Sequence, residues 1–167
     1  MQSVRSGLRF LADLVGALLL AAMFAAFLVQ VFARYVLNDP ISWTQEFVLI
    51  VYIWIVFWGG AFLVRERDHI TFDMIFEGLA LPARRILAVV LTGLIGIAFL
   101  AALPGTVDYI AFMAIEKSPI MRVPFDILYS IFGVFMVAVV AMAGLRIKRL
   151  AGRRWQEELA RNAGEEP

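Results

Sequence analysis

The sequence predicts an all-α membrane protein with four transmembrane helices in a single domain over residues 1–167. Four segments of 18 to 22 residues contain no charged side chain, and ~20 apolar residues let a helix cross ~30 Å of hydrocarbon. None of them has the polar face that a helix of a small water-soluble bundle presents. Hydrophobic residues make up 62% of the chain, well above the apolar share of a soluble domain. The predicted helices are residues 14–33, 47–64, 86–107 and 127–145.

The first segment follows Arg5 and Arg9, as the apolar part of a signal peptide would. It is longer than the ~7–15 residues of a signal h-region, and no A-x-A cleavage pattern follows it. We therefore interpret it as a retained helix.

Residues 4–11 leave two interpretations open. Their apolar and basic side chains lie on opposite faces, which suits an interfacial helix, but an ordinary basic start to the first helix explains them equally well.

The second segment combines packing residues with a single acid at its start. The small residues at Gly59-Gly60-Ala61 let another backbone approach closely, which is how helices associate in lipid. Trp54 and Trp58 lie deeper than an aromatic belt and are predicted to be packing surface, whereas Trp43 marks one interface. Glu46 has two interpretations: it pairs with a cation or polar group of a partner helix, or it is favoured by the dipole of the helix N-terminus.

The exit from this helix is rich in charge. Arg65, His69 and Asp73 lie within ten residues of one another, and we expect hydrogen bonds and ion pairs among them to order this turn. A His–Asp pair can relay protons, but no serine or cysteine nucleophile accompanies it. A structural role therefore explains this turn better than catalysis.

The third and fourth helices carry proline and small-residue signals. Pro104-Gly105 is expected to kink or end the third helix, and Thr92 with Gly96 forms a small-xxx-small pair that favours helix packing. Pro119 and Pro124 prevent helix in the segment that follows, and Asp126 opens the fourth helix.

The distribution of Lys and Arg predicts that both termini are cytoplasmic. Twelve of these residues lie in segments 1–13, 65–85 and 146–167, against three in segments 34–46 and 108–126, and cytoplasmic loops carry the excess of positive charge. The tail, residues 146–167, is basic first and acidic last. Its basic part suits anionic lipid head groups, and we expect no nucleic-acid partner.

The residue inventory excludes several function classes. The chain has no cysteine and one histidine, so thiolate sites, bis-histidine haem and HExxH zinc sites are absent, and we predict no cofactor, no metal and no enzyme activity. No predicted span has an ionisable side chain at mid-depth, although most pumps and carriers have such groups on their pathways. The sequence therefore favours an accessory subunit over a carrier.

Two motifs, taken in order, resemble the small membrane subunit of tripartite ATP-independent periplasmic (TRAP) transporters, the DctQ-like family. The first is "ISWTQEFVLIVYIWIVFWGGAFLVRERDHITFDM" and the second is "SPIMRVPFDILYSIFG". Family members often have two adjacent acids near the start of the second helix. This chain has Gln45-Glu46 there, which leaves one acid in place of a pair.

The resemblance implies a scaffold in a three-part transporter of the bacterial inner membrane. A large membrane subunit would carry the substrate and sodium sites, and a periplasmic binding protein would deliver a carboxylate such as a C4-dicarboxylate or a sialic acid. The small subunit would support the large one and help to dock the binding protein. Residues expected at these interfaces are Arg34, Trp43, Glu46, Trp54, Trp58, Gly60, Arg65, His69 and Asp73.

Two other functions remain open from the residues alone. One is a self-sufficient small carrier or channel that works as a homo-oligomer. The other is a membrane anchor subunit of an enzyme complex, which would need cofactor ligands that one histidine and no cysteine scarcely provide.

Overall fold

The protein is all-helical in the residues that the computed structural model describes, which are 2–63, 80–152 and 155. Its α-helices are α1 (Gln2–Tyr35), α2 (Ser42–Trp58), α3 (Leu81–Phe112) and α4 (Phe125–Ala151). A π-helix, Gly59–Leu63, continues α2, and a 3₁₀ turn, Met113–Ile115, ends α3. Each long helix contains one of the four predicted apolar segments, or most of it, so the prediction of an all-α chain with four membrane-spanning candidates is confirmed.

Each helix is longer than its uncharged segment. The apolar spans are Arg9–Tyr35, Ser42–Leu63, Leu81–Ile115 and Phe125–Ala151. The helices extend into charged flanks because the backbone hydrogen bonds of a helix continue where side chains meet head groups or water. α1 is unbroken from Gln2, and whether its first turns lie in the membrane interface stays a prediction.

Pro104 lies inside α3, which continues to Phe112. Of the two outcomes expected at Pro104-Gly105, an end of the helix does not occur, and a kink stays a prediction. A proline removes one N–H donor and crowds the carbonyl of the preceding turn. In membrane helices this loss is tolerated, because local adjustment and neighbouring groups satisfy the freed carbonyl.

The chain divides into two compact units. The first unit contains Met1–Leu63 with Gly105–Phe135, and the second contains Val64–Pro104 with Met136–Pro167. α3 and α4 each contribute residues to both units. In the first unit, α1 packs on α2 and on the π-helix.

Small side chains form much of the buried interior in both units. Ala26, Ala33 and Ala61 are buried in the first unit, and Ala88 and Ala143 are buried in the second. Large apolar side chains cover the helix surfaces instead: Phe24 is 60% exposed and Leu94 is 61% exposed. Such an arrangement is typical of helices whose outer faces meet lipid or another membrane protein, where close packing depends on small residues.

Candidate functional site

Polar groups hold the N-terminal end of α2 against α1. Gln30 of α1 is 9% exposed, and Thr44 of α2 is fully buried. The Thr44 hydroxyl lies 2.5 Å from Gln30 Oε1 and 2.7 Å from the carbonyl oxygen of Ile41. A hydroxyl has one proton, so Thr44 can donate to only one of these acceptors at a time. The contact fixes the register of α2 against α1, and the sequence reasoning did not find it.

Glu46 lies in the second turn of α2 and reaches the loop between α3 and α4. Its Oε2 accepts hydrogen bonds from the backbone N–H groups of Ile120, at 2.9 Å, and Met121, at 3.0 Å. The other oxygen, Oε1, is buried without a hydrogen-bond partner among the described residues, although the Ser118 side chain interacts with the carboxylate. The carboxylate therefore binds its own chain, a role that neither sequence interpretation included.

The loop that Glu46 binds, residues 116–125, is a closed hairpin, which we call the α3–α4 hairpin. Lys117 and Pro124 form an antiparallel bridge. The N–H of Ser118 donates to the carbonyl of Val123 at 2.9 Å, and the N–H of Val123 donates to the Ser118 hydroxyl at 2.9 Å. The N–H of Phe125 donates to the carbonyl of Glu116 at 3.1 Å. These bonds give the base of the hairpin a conformation of its own.

Two further predicted interface residues lie at this end of the first unit. Trp43 is 45% exposed, and its ring makes an edge contact with Phe47 at 6.2 Å between centroids. Arg34 lies in the last turn of α1 and is exposed. Of these three predicted interface residues, Glu46 is the one whose side chain binds the loop between α3 and α4.

The C-terminal end of α2 is held by an indole-to-backbone hydrogen bond and by an aromatic contact. The indole Nε1 of Trp58 donates to the carbonyl of Ala12 in α1 at 3.0 Å, and the Trp58 ring lies 4.6 Å from that of Phe62. Trp58 thus uses its polar edge within the chain. Trp54 is partly buried on the same helix.

Gly60 lies against an aromatic cluster of the first unit. A Cβ atom at Gly60 would be 3.0 Å from Cε2 of Phe135, whereas one at Gly59 would have no described atom within 4 Å. Phe57, Phe132 and Phe135 form the cluster, with the ring of Phe57 5.1 Å and 5.4 Å from the other two. Gly60 thus lies against a ring of the same chain, and its packing against a partner subunit stays a prediction.

Arg85 binds the end of α4 in the second unit. Its Nε donates to the carbonyl of Leu150 at 2.9 Å, and its Nη2 lies 3.4 Å from the carbonyl of Ala151. The guanidinium also stacks over the ring of Trp155 at 5.0 Å. Carbonyls at the end of a helix lack partners within the helix, so this arginine caps α4.

Three predicted residues, Arg65, His69 and Asp73, lie outside the described residues. Among the residues that are described, no group of three or more potential ligands is arranged to hold a metal ion.

Residues 23–153 match a family model described as tripartite ATP-independent periplasmic transporters, DctQ component. No curated protein matches the sequence. The family match covers well over half of the chain and confirms the resemblance that the two motifs indicate.

Proposed function

Because the chain belongs to the family of DctQ components of TRAP transporters, we propose that it is the static scaffold of a three-part carboxylate uptake system. The family is a transporter component and not an enzyme, and it associates with other TRAP subunits. Four apolar helices and this family indicate a multi-pass protein of the inner membrane.

Our proposal assigns the exposed apolar helix faces to lipid and to a large membrane subunit. That subunit contains the path of the substrate across the membrane, and it couples transport of the substrate to entry of sodium. The observation that supports a scaffold is the surface of the spans, where large apolar side chains such as Phe24 and Leu94 are exposed. Such a surface needs hydrocarbon or a protein partner around it.

We place both termini in the cytoplasm, on the basis of the twelve-to-three distribution of Lys and Arg. The start of α2, with Trp43 and Glu46, then faces the periplasm together with Arg34 and the α3–α4 hairpin. This is the end of the first unit where we propose that the binding protein docks. The first turns of α1 lie along the cytoplasmic interface, and the basic part of the tail meets anionic head groups.

Co-expression tests the scaffold. The chain is produced with and without the large membrane subunit and the binding protein of the proposed transporter. Each combination is then reconstituted into liposomes with a sodium gradient. We expect co-purification with the large subunit, and uptake of a carboxylate only when all three proteins are present. Uptake by this chain alone would overturn the proposal in favour of a small homo-oligomeric carrier.

A further inference from the structure

We propose that Glu46 is a positioning residue for docking. Its carboxylate fixes the tip of the α3–α4 hairpin, residues 120–122, and this tip contacts the periplasmic binding protein. This inference rests on the proposed function, because it names the surface that the binding protein meets. It differs from both sequence interpretations of Glu46, which had the carboxylate contact a partner or complement the helix dipole.

The first step is the geometry at the tip. The N–H groups of two successive residues, Ile120 and Met121, converge on one oxygen of Glu46 at 2.9 and 3.0 Å. The next residue, Arg122, has a φ of 54°. Successive amides in such a turn form a concave site that binds an anion. In this chain the anion is a side chain of α2, so the tip is tied to a helix 74 residues earlier in the sequence.

The second step separates the tip from the base. The base of the hairpin is closed by the Lys117–Pro124 bridge and by the mutual bonds of Ser118 and Val123. Among the residues of the base, Ser118 also interacts with the Glu46 carboxylate through its side chain, whereas the backbone bonds of the base do not involve Glu46. We therefore expect loss of the carboxylate to release the tip from α2 while the backbone bonds of the base remain.

The third step is what the tip exposes. Ile120 is 51% exposed and Met121 is 38% exposed, and Arg122 is exposed beside them. The neighbouring candidate spans end at Ile115 and begin at Phe125, so these residues belong to neither of them in the sequence. The proposal assigns these two adjacent apolar side chains and the arginine to a contact with a protein partner.

The occupant that fits this tip is the soluble partner of the proposed complex. Two apolar side chains next to one cation suit an apolar surface with an acidic group at its edge. A rigid tip binds more tightly than a mobile one, since less conformational freedom is lost on docking. Glu46 thus acts on docking through the backbone of the tip.

Hydrogen exchange of the assembled membrane complex tests the positioning. In Glu46→Gln the bonds to Ile120 and Met121 lose the charge that strengthens them, and we expect these two amides to exchange about tenfold faster. The amide of Phe125, which bonds to Glu116, should exchange at the unchanged rate. Equal exchange of the Ile120 and Met121 amides in the two proteins would overturn the positioning role.

Uptake measured against binding-protein concentration tests the docking. Glu46→Gln is expected to raise the half-saturating concentration of binding protein severalfold with little change in the maximal rate. Asp39→Asn is the control, because it removes an exposed acidic charge near the start of α2 without touching the tip. Faster exchange at the tip without any change in the half-saturating concentration would show that the tip is not a docking element and would overturn the inference.

A photoreactive residue at Met121 identifies the occupant. Cross-linking to the binding protein supports the inference, and cross-linking to the large subunit overturns it. Both outcomes differ from failure of the proposed function, in which the unmodified chain would not co-purify with a large subunit at all.

Discussion

The two ends of α2 pack in opposite ways. At its start, α2 is held by side-chain hydrogen bonds: Thr44 with Gln30, and Glu46 with the tip of the hairpin. Its other end has one such bond, from Trp58 to the carbonyl of Ala12, and the π-helix that continues it depends on missing side chains. A Cβ at Gly16 would be 2.8 Å from Leu63, and one at Gly60 would be 3.0 Å from Phe135. Polar contacts specify particular partners, whereas glycines specify only distance. The start of α2 is therefore sensitive to chemistry and its other end to volume.

The largest effect is expected from adding volume at the glycine end. Gly60→Leu should lower the free energy of unfolding of the isolated subunit by about 1–3 kcal/mol, because the new side chain overlaps the ring of Phe135. Gly59→Leu is the matched control, since no described atom lies near its Cβ. Denaturant titration in detergent micelles compares the two.

The same pair of variants separates packing within the chain from packing against a partner. If Gly60→Leu unfolds as readily as the unmodified subunit but no longer co-purifies with the large subunit, Gly60 acts at the subunit interface, and the importance of the Phe135 contact is refuted.

Removal of one polar partner at the start of α2 should have a somewhat smaller effect. Thr44→Val leaves the side-chain oxygen of the buried Gln30 without this donor, which should lower the free energy of unfolding by about 1–2 kcal/mol. Thr44→Ser retains the hydroxyl and should retain most of the stability. A Thr44→Ser variant less stable than Thr44→Val would show that the buried methyl group matters more than the hydroxyl and would refute the importance of this hydrogen bond.

The cap of α4 extends the comparison to the second unit. Arg85→Lys keeps the charge but loses the planar fork that reaches two carbonyls and stacks on Trp155. We expect a loss of about 1 kcal/mol in the free energy of unfolding, together with faster amide exchange in the last turn of α4. Unchanged exchange there would mean that the end of α4 is held by other contacts.

The smallest effect is expected between two small residues of the second unit. A Cβ at Gly96 would be 3.1 Å from the Cβ of Ala143, so Gly96→Ala should crowd this contact while it improves the helix propensity. Gly96→Ala should then be more favourable in an Ala143→Gly background than in the unmodified chain, by about 0.5–1 kcal/mol. Additive effects in the double-mutant cycle of unfolding free energies would contradict the contact.

Several features could be predicted from local patterns because local physics decides them. The four spans follow from uncharged length, and the small-xxx-small pair at Gly96 indicated a contact that the structure places on Ala143. The sequence left open whether Pro104-Gly105 kinks or ends the third helix, because the proline rule alone does not say how well a membrane helix accommodates the residue, and the structure shows that α3 continues. The π-helix at Gly59–Leu63 also had no signal beyond the glycine pair.

The candidate site shows where sequence reasoning stops. The motif singled out Glu46, and the two prolines marked the loop before α4, but nothing in the pattern joined them. The contact of Gln30 with Thr44 could not be predicted, because an isolated glutamine in an apolar segment belongs to no recognisable pattern.

By itself, the sequence determined that this chain crosses a membrane and belongs with a transporter complex, because apolar length and ordered motifs are properties of consecutive residues. Tertiary structure alone decided what Glu46, Gly60 and Arg85 contact. Those contacts join residues between 65 and 75 positions apart, and a hydrogen bond or a ring contact depends on distance in space, which the packing of the helices sets.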